Sequence, residues 1–491
     1  MAHHPVNEVP ARLLMWQRIR EYAVPPSMIK TASERRAIGD WAGACAAARI
    51  DVDLDLRAVR DDYGADVATR LRADLRRLAP DLLRWHMPRI APDGRLRPGL
   101  TISLARYRYL NGAPPQNTAQ PHLVVRTPPA WADAGQRMSL ALWEGSGSGA
   151  LGNHPHPHPD RRFRLDLHRH LWDSERSREL TRRCGASGPS FAEPAVLPHP
   201  PTVQDERWAV ARWAAEAELL LRAENCPLGA FTVRVGAADL NVFELFAPDD
   251  SHAPTLRLLR DPLPPQEAAA LPLLPEAAAR VLPDLALLRA GLVTIERMHP
   301  LVAEALSTID TPISEAVPAP EPGDPHQVGC RGEVHRIELR GGVLTAIDHN
   351  PAQLRREELL AALGGPPLPC LRAIDALHRN PEVLPAVRER LGHGDFTGAL
   401  TVVEGLLGPG AILRDGPLRD ELESAAARRV DHGLFRSGLA ATRHNSSMDG
   451  GENDWRAPQA KAPHRPRLDR RTPPAVRLKR NTRARSRTGL A

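Results

Sequence analysis

Proline fills 49 of the 491 positions, about one residue in ten, roughly twice its usual share. Its ring fixes φ and removes a backbone donor, so many connections in such a chain must be extended and poor in hydrogen bonds. The hydrophobic pattern agrees. Over 8–50, Leu13, Trp16 and Ile19 keep a helical period that Pro25-Pro26 ends. Asp40 is placed to cap a helix with the stripe Trp41, Ala44, Cys45 and Ala48. A further helix is expected over 62–78, with Val67, Leu71, Leu75 and Leu78 on one side.

Between 99 and 170 the period moves toward two, which predicts strands at 100–107, 122–126, 138–143 and 163–168. A helix over 204–223 and strands at 231–235 and 240–246 follow, then Ala/Leu/Pro-rich short helices over 262–308 and a Pro-rich linker at 312–325. Beyond it, Gly341-Gly342 between two alternating runs predicts a hairpin. Asn350-Pro351 predicts a helix start and Gly364 its stop, with helices near 370–379, 382–391, 395–407 and 417–435 after it. The chain therefore reads as α+β: a helical N-terminal region (8–95), a central strand-rich α+β domain (96–260), short helices and linker (261–325), a hairpin plus helical bundle (326–440), and a disordered basic tail (441–491). Gly39-Asp40-Trp41-Ala42-Gly43-Ala44 is echoed by Gly394-Asp395-Phe396-Thr397-Gly398-Ala399. Gly for the turn, Asp for the cap and an aromatic wedge suit a helix hairpin. No repeat period links the two copies.

Charge and residue choice exclude several functions. The net charge is +6, yet residues 441–491 hold 13 basic and 4 acidic groups while the other 440 residues hold 52 and 55. Only Lys30, Lys461 and Lys479 are lysines. A phosphate-binding loop lysine or a kinase strand lysine has no candidate in the body, and a pyridoxal Schiff base has almost none. No run of eighteen apolar residues predicts a membrane span, and no signal peptide is expected at Met1. Five scattered cysteines, Cys45, Cys184, Cys226, Cys330 and Cys370, include no C-x-x-C. They read as inert structural thiols of a reducing, cytoplasmic compartment, neither disulfides nor a zinc ribbon.

Three segments carry candidate chemistry. Asp166, His168 and His170 alternate, so a strand would set them on one face opposite Phe163, Leu165 and Leu167. Imidazole with carboxylate suits zinc, although plain solvent-facing polarity explains the pattern as well. The His-Pro run at His154, His156 and His158 reads as a polar insertion. Gly147-Ser148-Gly149-Ala150-Leu151-Gly152 fits G-x-G-x-x-G, but the following Asn153 and His-Pro run cannot start the helix a dinucleotide needs. Third, the tail bears Arg465, Arg467, Arg470, Arg471, Arg477, Lys479, Arg480, Arg483, Arg485 and Arg487, with no aromatic after Trp455. It could contact nucleic-acid backbones only electrostatically and without specificity.

Four stretches, WHMPRIAPDG at 85–94, FRLDLHRHLW at 163–172, LGGPPLPCL at 363–371 and HGDFTGAL at 393–400, resemble a family of uncharacterised proteins of high-GC bacteria. The resemblance covers roughly 30–440 and implies a co-folded body, with no site and no mechanism. The expected function is a cytoplasmic scaffold that binds protein partners, with no resident cofactor and no membrane contact. The alternatives are a metal-assisted enzyme around Asp166, His168 and His170, and tail-driven nucleic-acid association.

Overall fold

The computed structural model describes residues 10–108, 120–145, 154, 156–184, 207–226, 229–236, 239–246, 255–259, 263–307, 327–330, 332–379 and 383–439. The glycine-rich match, the Pro-rich linker and the basic tail lie outside them. The chain is an α+β protein of two compact units, one holding 10–131 and 137–307, the other 132–136 and 327–437. Among the described residues no helix is long and apolar enough to cross a membrane.

The strands of the first unit are β1 (Ile50–Asp53), β2 (Arg89–Ile90), β3 (Arg95–Leu96), β4 (Thr101–Arg106), β5 (His122–Arg126), β6 (Met138–Trp143), β7 (Gly229–Arg234), β8 (Leu240–Phe246) and β9 (Thr255–Leu258). The main sheet runs β1-β6-β5-β4, with β1 parallel to β6 and the other pairs antiparallel. One core joins the N-terminal helices (Leu13, Ile19), the helix Leu56–Arg77 (Leu71, Leu75), the sheet (Ile102, Leu140) and the helix Pro300–Leu306 (Val302, Leu306). This core draws residues from 13–184 and from 282–306. A satellite core sets the helix Trp213–Ala223 on the antiparallel sheet β7-β8-β9, through Trp213, Phe231 and Phe243.

One expected strand does not form. Residues 163–168 make a single bridge, Arg164 to Ser103, and otherwise fold into successive turns. The Leu167 amide donates to the Arg164 carbonyl at 3.2 Å and the His168 amide to the Leu165 carbonyl at 3.1 Å. Bound to their carboxylate neighbours two residues away, Arg162 on Asp160 and Arg164 on Asp166, the guanidiniums hold the chain bent. Alternation in the sequence here records ion pairing, not a pleat.

The second unit contains β10 (Gln327–Cys330), β11 (Glu333–Arg340) and β12 (Val343–Ala346) in one antiparallel sheet. Arg340 pairs with Val343 across Gly341 and Gly342, both at positive φ (57° and 80°), as a two-residue hairpin turn requires. Asn350 caps the helix Pro351–Ala362 by accepting from the Ala352 amide at 2.9 Å, and Gly364 at φ 89° follows its end. Helices Pro369–Arg379, Leu384–Gly392, Phe396–Leu407 and Pro417–Arg436 complete the unit.

The echoed hexapeptides adopt one geometry. Gly39 (φ 78°) and Gly394 (φ 80°) turn the chain, and Asp40 and Asp395 accept from the Gly43 and Gly398 amides at 2.8 and 3.2 Å. The same carboxylates meet Arg35 and Arg390 at 3.3 and 2.8 Å. A Cβ on Gly43 or Gly398 would lie 2.1 Å from the capping carboxylate, so small residues there are a condition of the cap. Replacing Asp395 with Ala is expected to cost the second unit about 1 kcal/mol. Asp395→Asn, which keeps the acceptor, is expected to cost less. Chemical denaturation of both variants checks this; equal losses would mean that the carboxylate's charge, not the cap, carries the effect.

Candidate metal centre

β11 reads Val334-His335-Arg336-Ile337-Glu338-Leu339, and its side chains alternate as the pleat demands. Val334, Arg336 and Glu338 are exposed, whereas His335, Ile337 and Leu339 turn inward. His335 is thus an imidazole on an apolar face. Beneath it lies a small core of Cys330, Ala346, Leu354, Leu368 and Cys370. Cys330 ends β10, and Cys370 sits in the first turn of Pro369–Arg379. His349 follows β12 and directly precedes the Asn350 cap. Turn, hairpin and helix start together bring the four residues to one point.

One ligand atom from each of Cys330, His335, His349 and Cys370 lies within 4.8 Å of all the others. His335 Nδ1 and His349 Nε2 are 2.9 Å apart, and their rings are tilted by 47° with centroids separated by 4.2 Å. Burial, then the neighbouring Cys330, pushes the Cys370 thiol up to about 11. Zinc with Zn–S near 2.3 Å and Zn–N near 2.0–2.1 Å would need tetrahedral edges of about 3.3–3.8 Å, so the cluster needs only small side-chain rotations to close around an ion. Two soft thiols and two imidazoles are the donor set zinc prefers. A buried Cys2His2 cluster able to hold zinc is therefore present, where the spacing of the cysteines suggested only inert thiols.

The expected trio is arranged differently. Asp166 receives Arg164 at 2.8 and 2.9 Å and pairs with Arg106 at 3.1 Å. His168 Nδ1 is 2.8 Å from the Arg164 carbonyl, and its Nε2 is 3.1 Å from Glu216, which also receives Arg183 at 2.7 Å. Burial works against the Glu216 charge, but hydrogen bonds from His168 and Arg183 hold its carboxyl below the usual range. His170 is buried beside His168, with ring centroids 5.9 Å apart, and burial followed by the His168 and Arg183 charges lowers its pKa. Rather than sharing a solvent face, His168 and His170 are buried and Asp166 is half-buried, and each of Asp166 and His168 already has protein partners. Among the described residues, the quartet of Cys330, His335, His349 and Cys370 is the group of ligand atoms spaced to surround one ion.

The His-Pro run contributes to structure. His154 Nε2 donates to the Thr127 carbonyl at 2.9 Å, and its Nδ1 accepts from the His156 amide at 3.2 Å. His158 stands edge-on to Trp143, centroids 6.1 Å apart. The chain matches no family model, no curated protein and no solved structure.

Two buried histidines set a pH dependence. Burial first, then nearby arginines, lowers both His122 and His154 from 6.5 to about 4. As pH falls below 6.5 the unfolded chain therefore takes up protons that the folded chain refuses. Stability is full above pH 6.5 and declines toward pH 4, by at most ~1.4 kcal/mol per pH unit for each residue. Melting temperatures at pH 7 and pH 5 should show the decline, and His154→Gln should flatten it. An unchanged slope in that variant would remove His154 from this account.

Proposed function

We propose that residues 327–437 form a zinc-stabilised interaction module, and that the protein serves as a binding or scaffold protein rather than a catalyst. The observation that carries this reading is the closed donor set: two thiols and two imidazoles fill all four positions of a tetrahedral ion. A catalytic zinc keeps one position for water or substrate, whereas a structural zinc does not. The setting supports the structural role. The donor atoms sit in a small core of five buried members, two of them the cysteines themselves, beside the larger core in which the sheet (Ile337, Leu344) meets the helix (Ile374). Binding free energy of a metal held only by the folded state adds directly to folding.

Two further features favour interaction over chemistry. Leu359, Leu360 and Leu363 are exposed on and just beyond the helix Pro351–Ala362, and exposed apolar residues grouped in this way mark binding surfaces. The Asp166, His168 and His170 side chains, the alternative enzymatic site, are committed to buried ion pairs and packing.

Full-length protein purified without chelator and dialysed is expected to carry close to one zinc per chain. Cys370→Ser and His349→Ala should lower that content at least tenfold and lower the melting temperature of the second unit, while the first unit's transition stays in place. Elemental analysis with calorimetry makes the measurement. A folded wild-type chain free of metal, and unable to take up zinc under reducing conditions, would sink the reading.

A further inference from the structure

The metal reading leaves open what the two thiols do when the cell's redox state changes, and their placement answers it. Cys330 and Cys370 come from different elements, a strand end and a helix start, yet both thiols reach one point. Their Sγ atoms belong to one cluster whose members lie within 4.8 Å of one another. Both are free thiols in the structure. A disulfide needs sulfurs at about 2.05 Å and Cβ atoms about 3.5–4.5 Å apart, and side-chain rotation has to close a gap of no more than 4.8 Å between the two sulfurs. Both sulfurs are buried, while Val334, Asp348 and Asn350, the chain neighbours of His335 and His349, are exposed, so a small oxidant approaches the site from its imidazole side.

Resting on the metal reading above, we propose that the centre is a redox switch: a hydroperoxide joins Cys330 to Cys370 as a disulfide and releases zinc. One thiolate attacks the peroxide oxygen, the O–O bond breaks, and a sulfenic acid forms with departure of hydroxide. The second thiolate attacks that sulfur, the S–O bond breaks, and a second hydroxide leaves. Two thiolates thus lose two electrons, hydrogen peroxide gains them, and two protons complete two waters. Zinc departs as Zn2+ with its charge unchanged, because a disulfide sulfur no longer offers it a thiolate. His335 and His349 remain, too few to hold the ion alone.

The consequence is a change in what ties β10 to the helix Pro369–Arg379. With zinc bound, four residues share one ion, and His335 and His349 are held as well. With the disulfide, strand and helix stay joined, but the two imidazoles are released, and with them the end of the hairpin beside Asn350. The helix Pro351–Ala362 that begins there carries the exposed leucines, so oxidation is positioned to loosen the binding surface without unfolding the unit.

The test uses zinc-loaded full-length protein and its Cys226→Ser variant, which removes the exposed competing thiol. Each is titrated with hydrogen peroxide while a chromogenic chelator reads released zinc, free thiols are counted, and non-reduced peptides are mapped by mass spectrometry. The expected result is one zinc released for every two thiols lost, a peptide pair linked through Cys330 and Cys370, and full zinc rebinding after dithiothreitol. Zinc retained at peroxide levels that oxidise Cys226, or released with no link between Cys330 and Cys370, overturns the switch and leaves the metal centre standing. A chain that holds no zinc before peroxide is added overturns the metal centre, and the switch with it.

Discussion

Buried carboxylates that need partners organise the first unit. Asp74 accepts from Tyr107 at 2.9 Å and Arg77 at 2.6 Å, and it also receives Arg169. Asp81 meets His299 at 2.8 Å, Asp284 takes the Trp85 indole at 2.9–3.0 Å and His86 at 3.1 Å, and Glu216 takes Arg183 and His168. All of these but the Asp74–Arg77 pair join residues 33 or more positions apart. A buried ion pair adds little net stability over a well-packed apolar pair, but removing one partner costs about 3–5 kcal/mol. Its effect is to penalise every arrangement in which the segments do not meet. For a chain so rich in proline-bearing connections, that penalty fixes which distant segments meet. Lys30 is exposed and the body has no other lysine, so arginine and histidine supply every buried cation. The planar guanidinium fork, which binds both carboxylate oxygens, suits this use better than an ammonium.

The second unit solves the same problem with different chemistry. Its helices Leu384–Gly392 and Phe396–Leu407 pack through Leu391, Ala399 and Val403 in an ordinary apolar core. The sheet and the helix Pro369–Arg379 join that core through Ile337, Leu344 and Ile374, and the cysteines and histidines converge in a separate, smaller cluster with Ala346, Leu354 and Leu368. In that smaller cluster the metal–ligand bonds of the proposed centre would add to apolar burial.

How much of this could be read in advance depended on range. The Gly341-Gly342 hairpin, the Asn350 cap and the Asp40 and Asp395 hairpins were legible because each is settled by residues a few positions apart. The 163–168 strand was misread because alternation has two causes, a pleat or side chains sorted by ion pairs, and sequence does not separate them. β1, β9 and β10, each four residues long, are too short to leave a period. The metal cluster was illegible by spacing, since its four ligands come from a strand end, a strand middle, a loop and a helix. One signal was available. The period of β11 sets His335 on the same face as Ile337 and Leu339, and an imidazole on an apolar face needs a partner.

That signal also shows why counting cysteines misled. Cys45 and Cys370 are both buried thiols, with pKa values pushed up to about 12 and 11. Cys45 packs in the main core, among apolar side chains, and behaves as a small hydrophobe. Cys370 has a second thiol and two imidazoles beside it. Burial alone therefore does not separate a packing thiol from a ligand; the neighbours within bonding reach do. Those neighbours are set by register, the pairing of Cys330 with Glu333 and of Val328 with His335. A shift of one residue would turn His335 outward, so the sheet's hydrogen bonds decide whether these residues can share an ion.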